Sequence, residues 1–245
     1  MTYCVAMLLE EGLLFASDSR TNAGVDHIAT FRKMHLFQDS NERRIAIVSA
    51  GNLATTQSVI SQLQKQVRQE DENILSLHSM YDVANLVGKT VRDVIKRDSG
   101  QEAQSGVDYS CSLIVGGQIR GEEPRLFNVY TQGNFIEATI DTPYFQIGES
   151  KYGKPIIDRV INSKTSLAQA VKCALISFDS TIRSNISVGP PIDVLLHRKD
   201  DFSAHEPYRF EEHHPYLQQL RNAWSTGLNQ LFASLPDVSI EEKSR

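Results

Sequence analysis

The chain is poor in cysteine, has no long apolar run and carries fewer cations than anions, and each shortage removes a class of protein. Its cysteines are Cys4, Cys111 and Cys173, an odd number without C-x-x-C spacing. They neither complete a disulfide framework nor form a zinc site, so a reducing, cytoplasmic setting is expected. All three sit in apolar runs and read as small buried hydrophobes. The longest apolar stretches, such as Val5 to Leu9 and Leu13 to Ala16, fall far short of the roughly 20 residues that cross a bilayer. No basic segment leads into an apolar one at the N-terminus, so no export signal and no membrane partner are read. Lys and Arg number 25 against 30 Asp and Glu, a net charge of −5, which argues against a surface built for phosphates and so against nucleic acid. There is no G-x-x-x-x-G-K-[ST] loop, and any use of ATP falls to a partner. His213-His214 is the one tempting metal pair. Adjacent side chains point apart and no H-E-x-x-H is near, so it reads as a solvated helix start, with no metal and no cofactor expected.

What remains is an ordinary globular composition over 245 residues, 40% hydrophobic and 22% charged, long enough to bury a large core. Short β-rich runs come first. Tyr3 to Leu9 and Leu13 to Ser17 flank Glu10-Glu11-Gly12, and Phe31 to Phe37 and Arg44 to Ser49 flank Gln38-Asp39-Ser40-Asn41. These read as two hairpins, four successive strands of an antiparallel sheet. The apolar period then lengthens. Ile60, Leu63 and Val67, followed by Met80, Val83, Ala84, Val87, Val91 and Val94, predict two helices. The charged stretch Arg68 to Asn73 between them reads as an exposed helix end. Strand character returns over Tyr109 to Val115, Arg125 to Tyr130, Phe135 to Ile140 and Pro143 to Ile147. A helix around Pro155 and an amphipathic one from Leu167 to Ile182 follow, then a last clear strand, Ile192 to His197. Leu217, Leu220, Trp224, Leu228, Leu231 and Leu235 mark a late helix ended by Pro236. Strands such as Tyr3 to Leu9 and Ile45 to Val48 are apolar on both faces, so each sheet needs cover on both sides. An α+β, four-layer αββα sandwich meets that need, and the absence of a linker predicts one domain over 1–245.

The chemistry is concentrated near the start. Thr2 follows Met1, and a small second residue permits removal of the initiator Met. A terminal Thr carries its own base, because the free α-amine, with an ordinary pKa of about 7.7 to 8.0, takes the hydroxyl proton directly or through one water. Thr2 alone reads better as the first residue of an edge strand. Asp18, closing the second strand, and Lys33, in the next one, change that weighting. A lysine aimed at the hydroxyl lowers its pKa, and the Asp pairs the ammonium. Gly51, in Ser49-Ala50-Gly51-Asn52 between strand and helix, permits close backbone approach, and its N–H suits a developing oxyanion.

Together, Thr2-Tyr3-Cys4-Val5-Ala6, Ala16-Ser17-Asp18-Ser19-Arg20-Thr21, the Lys33 strand and Ser49-Ala50-Gly51 resemble a proteasome-type β subunit, an N-terminal nucleophile hydrolase of four-layer αββα fold. Ser17 to Gly24, Phe178-Asp179-Ser180-Thr181 and Ser184 to Asp193 resemble, more specifically, the bacterial proteasome-related Anbu family. The resemblance covers roughly residues 2 to 200, leaving about 201–245 as a C-terminal helical extension. It implies Thr2 as nucleophile, Asp18 and Lys33 as its activating pair and the Gly51 amide as oxyanion donor. Peptide substrate is implied to lie as a strand against Thr21-Asn22 and the Ser49 to Leu53 segment, so that Thr21, Asn22, Ser49 and Leu53 bind it. Supporting serines are implied at Ser150, with a one-residue shift, and at Ser184 or Ser187 beside Asp179; Ser150 and Ser187 are the positions chosen here. The family is described as forming rings or open helical assemblies of identical subunits, so a homo-oligomer acting on peptides or unfolded protein is expected, with Met1 trimmed by an aminopeptidase. The rival reading keeps the fold and the Thr-Asp-Lys geometry in a self-assembling scaffold or binding protein without useful turnover. A third, as in the HslV family, feeds the peptidase from an ATPase or adaptor.

Overall fold

The computed structural model describes residues 1–22, 28–39, 42–69, 71–100 and 106–238, with the side chains of Asn22 and Ile28 left aside. Residues 1–212 form one compact unit and residues 213–245 a second. The chain opens with β1 (Tyr3–Leu9) and β2 (Gly12–Asp18), then β3 (Arg20–Asn22), β4 (Ile28–Thr30), β5 (Met34–Asp39) and β6 (Arg43–Gly51). Helices α1 (Leu53–Gln69) and α2 (Met80–Ser99) come next, followed by β7 (Cys111–Ile119), β8 (Arg125–Val129), β9 (Phe135–Glu137) and β10 (Tyr144–Gly148). The order ends with α3 (Lys154–Val160), α4 (Leu167–Ser184), β11 (Ile192–Arg198), β12 (Tyr208–Phe210) and α5 (Pro215–Ser234).

Two five-stranded antiparallel sheets result, ordered β10-β1-β2-β11-β12 and β5-β6-β7-β8-β9, with β3-β4 as a small separate ribbon. The two opening hairpins therefore do not share a sheet. Each seeds a different one, because each needs the other's apolar face as cover. Cys4, Ala6, Leu13 and Phe15 from the first sheet pack on Met34, Ala46, Val48 and Ile114 from the second sheet. The opposite face of the second sheet, with Ile45, Ile47, Leu113 and Phe127, is covered by Val59, Ile60 and Leu63 of α1 and Met80, Val83, Val87 and Val91 of α2. On the far side, α4 packs on β1 and β2 and carries α3 with it, and Phe178 meets Tyr3 at 4.6 Å between ring centroids. That is the expected αββα order.

Local chemistry sets the boundaries. Gly12 turns the first hairpin at φ +134°, and a Cβ there would lie 2.1 Å from the His197 carbonyl oxygen. Ser79 and Ser166 cap α2 and α4 through the amides of Asp82 and Gln169. All three cysteines are free and buried. His214 caps α5 by accepting from the Tyr216 amide, so the histidine pair does begin a helix. Arg68, Asp71 and Glu72 are exposed, whereas Asn73 is buried and accepts from the Leu75 amide. Ser40, Asn41, Ala23 and Gly24 lie outside the described residues. Three differences from the expected elements stand out. Phe31 to Lys33 is not strand, β3-β4 is an added ribbon, and β12 follows the strand read as last. No helix among the described residues is long and apolar enough to cross a membrane.

Candidate active site

Asp18 ends β2 opposite Ile192 of β11, with its carboxylate wholly buried. Oδ1 accepts from Lys33 Nζ at 2.7 Å and from the Tyr3 amide at 3.0 Å. Oδ2 accepts from the Gly189 amide at 3.4 Å. Burial pushes this carboxyl above its ordinary pKa, while the Lys33 ammonium and the two amides oppose that rise. A buried carboxylate is tolerable only with such donors. Lys33 reaches it because Phe31 to Lys33 leaves the strand path. The Phe31 amide bonds the Ser19 carbonyl at 2.9 Å and the Lys33 carbonyl accepts from the Ser49 amide at 3.0 Å. The Lys33 ammonium also donates to the Arg20 carbonyl at 2.6 Å. Its cation is thus fixed, 4% exposed, on the wall of a cleft of about 680 Å³.

Thr2 stands at the same cleft with Lys33, Thr21, Ser49, Gly51 and Leu53. Its carbonyl accepts from the Glu149 amide at 2.8 Å. Gly148, at φ +79°, passes so close that a Cβ would fall 1.9 Å from the Thr2 oxygen. Gly51 ends β6 at φ +112°, where a Cβ would lie 2.4 Å from the Ser110 carbonyl oxygen. Only glycine suits either place. Asn22 lies in β3 beside Thr21. Met1 is exposed and lines the cleft; while it is attached, the Thr2 nitrogen is an amide and no base.

Neither Ser150 nor Ser187 is among the residues that line this cleft. Ser187 is half-buried in the loop after α4, its amide bonded to Asn185 Oδ1 at 2.9 Å, and the same loop sends the Gly189 amide to Asp18. Ser150 follows β10 and lines a separate hollow with Tyr144, Lys154 and Asp158. Sequence reasoning passed over Gly189, Arg20 and Glu149. A Cβ on Gly189 would meet the Arg20 guanidinium carbon at 2.3 Å, and Arg20 also donates to the Ile186 carbonyl at 3.1 Å, so Arg20 clamps the loop that supports Asp18. Gly189 stood in the Val188-Gly189-Pro190 run, but nothing in the spacing aimed its amide. Arg32, His35 and Gln57 also line the cleft; burial and then Arg32 hold the His35 ring below its ordinary pKa. Among the described residues, no group of three or more His, Cys, Asp or Glu is placed to hold a metal ion.

Residues 2–196 match the proteasome subunit family. The chain belongs to that family. Within it the likeness to Anbu proteins is much stronger than to archaeal β subunits. A proteasome subunit beta from Haloquadratum walsbyi is 22% identical over 212 residues, 86% of this chain and 79% of its own. Anbu (ancestral beta-subunit) from Yersinia bercovieri is 58% identical with a TM-score of 0.92, covering 98% of this chain and 100% of that one. The structure described as the helical assembly of the Anbu complex from Pseudomonas aeruginosa is 53% identical with a TM-score of 0.93, covering 97% and 98%. The family match stops at residue 196, whereas these Anbu structures cover nearly the whole chain. The extension is therefore an Anbu feature, and the resemblance drawn from Ser17 to Gly24 and Ser184 to Asp193 is borne out.

Proposed function

We propose that this Anbu-family chain is an N-terminal threonine hydrolase that cleaves peptide bonds once Met1 is removed, working as one of many identical subunits. The observation that carries this is the Lys33–Asp18 pair at 2.7 Å, fixed at the wall of the cleft where Thr2 begins β1. The Thr2 amine takes the hydroxyl proton as Oγ adds to the substrate carbonyl carbon, and Lys33 stabilises the developing negative charge on Oγ. The carbonyl oxygen becomes an oxyanion beside the Gly51 amide. Collapse breaks the C–N bond, the ammonium returns its proton to the leaving amine, and water then hydrolyses the ester on Thr2. Thr21, Asn22, Ser49 and Leu53 hold the peptide as an added strand. Ser187 and Ser150 support the loops on either side. No cofactor enters this scheme.

Self-assembly is supported by the Pseudomonas aeruginosa relative and by α5, which carries Leu217, Leu220, Trp224 and Leu228 at helical spacing yet buries no residue. Free, buried thiols fit a cytoplasmic setting. An ATPase or adaptor would feed such an assembly with unfolded protein. The scaffold reading shares every contact above and differs only in turnover. Intact-mass spectrometry before and after a peptide epoxyketone, which needs both the hydroxyl and the free amine, separates the two. Loss of Met1 with one adduct per chain on Thr2 is expected. A chain lacking Met1 that takes no adduct, in an assembled sample, overturns the hydrolase reading.

A further inference from the structure

One buried acid beside Thr2 has no part in that scheme. The register pairing Tyr3 with Gly148 brings Glu149 opposite Thr2, and the Glu149 amide bonds the Thr2 carbonyl at 2.8 Å. Both residues lie one step beyond the ladder, past the left-handed turn at Gly148, and both line the same cleft. The Glu149 side chain is only 12% exposed. Its Oε2 is buried without a hydrogen-bond partner among the described residues. Lys151 Nζ stands 3.5 Å away, but that side chain is 68% exposed. That oxygen is therefore withdrawn from water against an ammonium that is itself largely solvated, a weak pairing that leaves it short of a close donor. Removal of Met1 creates a donor of the matching charge on the residue opposite.

We infer that Glu149 is the ion-pair acceptor for the α-amine of Thr2, holding it over the hydroxyl and stabilising the ammonium formed when the amine takes the hydroxyl proton. The inference rests on the hydrolase reading for its purpose, though not for its test. The charged groups around the amine oppose one another. Lys33 and Arg32 line the cleft with His35, and Asp18 bonds the Lys33 ammonium. Lys33 and Arg32 depress the amine's pKa and Glu149, itself paired with the exposed Lys151 at 3.5 Å, restores it. Ser150, one residue on, lines a different hollow, so of these two neighbours it is Glu149 that shares the cleft with Thr2.

The test is competitive labelling of the α-amine with trace acetic anhydride from pH 5 to 10, using the full chain released with Thr2 first and read by mass spectrometry of its N-terminal peptide. Glu149→Gln keeps the side chain's shape and the backbone bond to Thr2. Its labelling midpoint should fall by about one pH unit, and Glu149→Asp should recover part of the shift. An unchanged or raised midpoint in Glu149→Gln overturns the inference, even if the epoxyketone adduct still forms. A lowered midpoint in a chain that takes no adduct leaves the inference standing and removes the hydrolase reading.

Discussion

Among the described residues the sandwich buries Lys33 at one end and Arg44 at the other, and the two are treated differently. Lys33 lies where Asp18 faces Ile192 and Ser49 faces Leu113; Arg44 lies at the other end, where His197 faces Leu13 and Arg44 faces Gln118. Lys33 is held by a carboxylate and one carbonyl and borders an open cleft. Arg44 donates to the carbonyls of Leu196 and His205 and, among the described residues, bonds no carboxylate directly, although Asp201 and Glu206 favour its charge from a distance; beside it His197 Nε2 meets Gln118 Oε1 at 3.3 Å, and Gln118 Nε2 donates to Asp200 Oδ1 at 2.7 Å. Both residues are almost fully buried, at 4% and 1% exposure. Burial of charge therefore does not mark function by itself. What separates the ends is that one places its cation beside a nucleophile, while the other uses its cation to tie the strands to residues 196–205.

The largest difference should appear in activity. Thr2→Ala and Lys33→Met should each reduce hydrolysis and epoxyketone labelling to background, a loss of several orders of magnitude. They should part company on stability. Thr2→Ala should melt within about 0.5 kcal/mol of the parent, whereas Lys33→Met strands the Asp18 carboxylate and should cost about 3–5 kcal/mol. Asp18→Asn with Lys33→Met should recover much of that stability and none of the labelling. Labelling in the double variant would show the pair to be structural, as at the Arg44 end.

Arg44→Met is the converse. It leaves the part-buried carbonyls of Leu196 and His205 without this donor and should cost about 1–3 kcal/mol by denaturant titration, with the labelling rate per folded chain unchanged. A rate that fell with stability held constant would mean that the two ends are coupled.

Acid should affect the Arg44 end through His197. Burial, and then Arg44, push its ring down to about 4 from an ordinary 6.5. Between those values the unfolded chain binds a proton that the folded chain refuses, so stability rises with pH across the window. It is fully present above about 6.5 and lost as pH falls toward 4, by about 3 kcal/mol at most. His197→Gln should flatten that part of the pH–stability curve. An unchanged slope would assign the acid sensitivity elsewhere.

The ends also differ in how far they could be read from sequence. Thr2, Asp18 and Lys33 were legible because a hairpin returns Asp18 to Thr2 and residue types alone suggest their chemistry. The helices and most strands were legible from period, and the four layers from strands apolar on both faces. Assigning both hairpins to one sheet was not safe, since alternation along a strand does not say which strand lies beside it. β3, β4 and β12 are three residues each, too short for any period to register. Lys33 itself leaves the strand pattern, because its backbone is bonded to Ser49 and its ammonium to Asp18 and Arg20. At the other end, the sequence shows Arg44 only as the first residue of a strand, and the chain's return through His205 shows where its guanidinium goes.

The smallest effect tests the turn where sequence and geometry differ most. Ser150 carries its resemblance only through a one-residue shift. Its amide bonds the Gly148 carbonyl at 2.9 Å, and its own carbonyl accepts the Lys154 amide that opens α3. Both bonds are backbone bonds and survive Ser150→Ala. The substitution should therefore change labelling by about threefold or less, under 1 kcal/mol of transition-state stabilisation, reflecting altered packing of a turn whose next-door residue faces Thr2. Rates for Ser150→Ala and Glu149→Gln measured side by side decide which residue of the pair supports the nucleophile. A loss of a hundredfold or more at Ser150 would move that role to the serine, through a rearrangement of the turn on assembly.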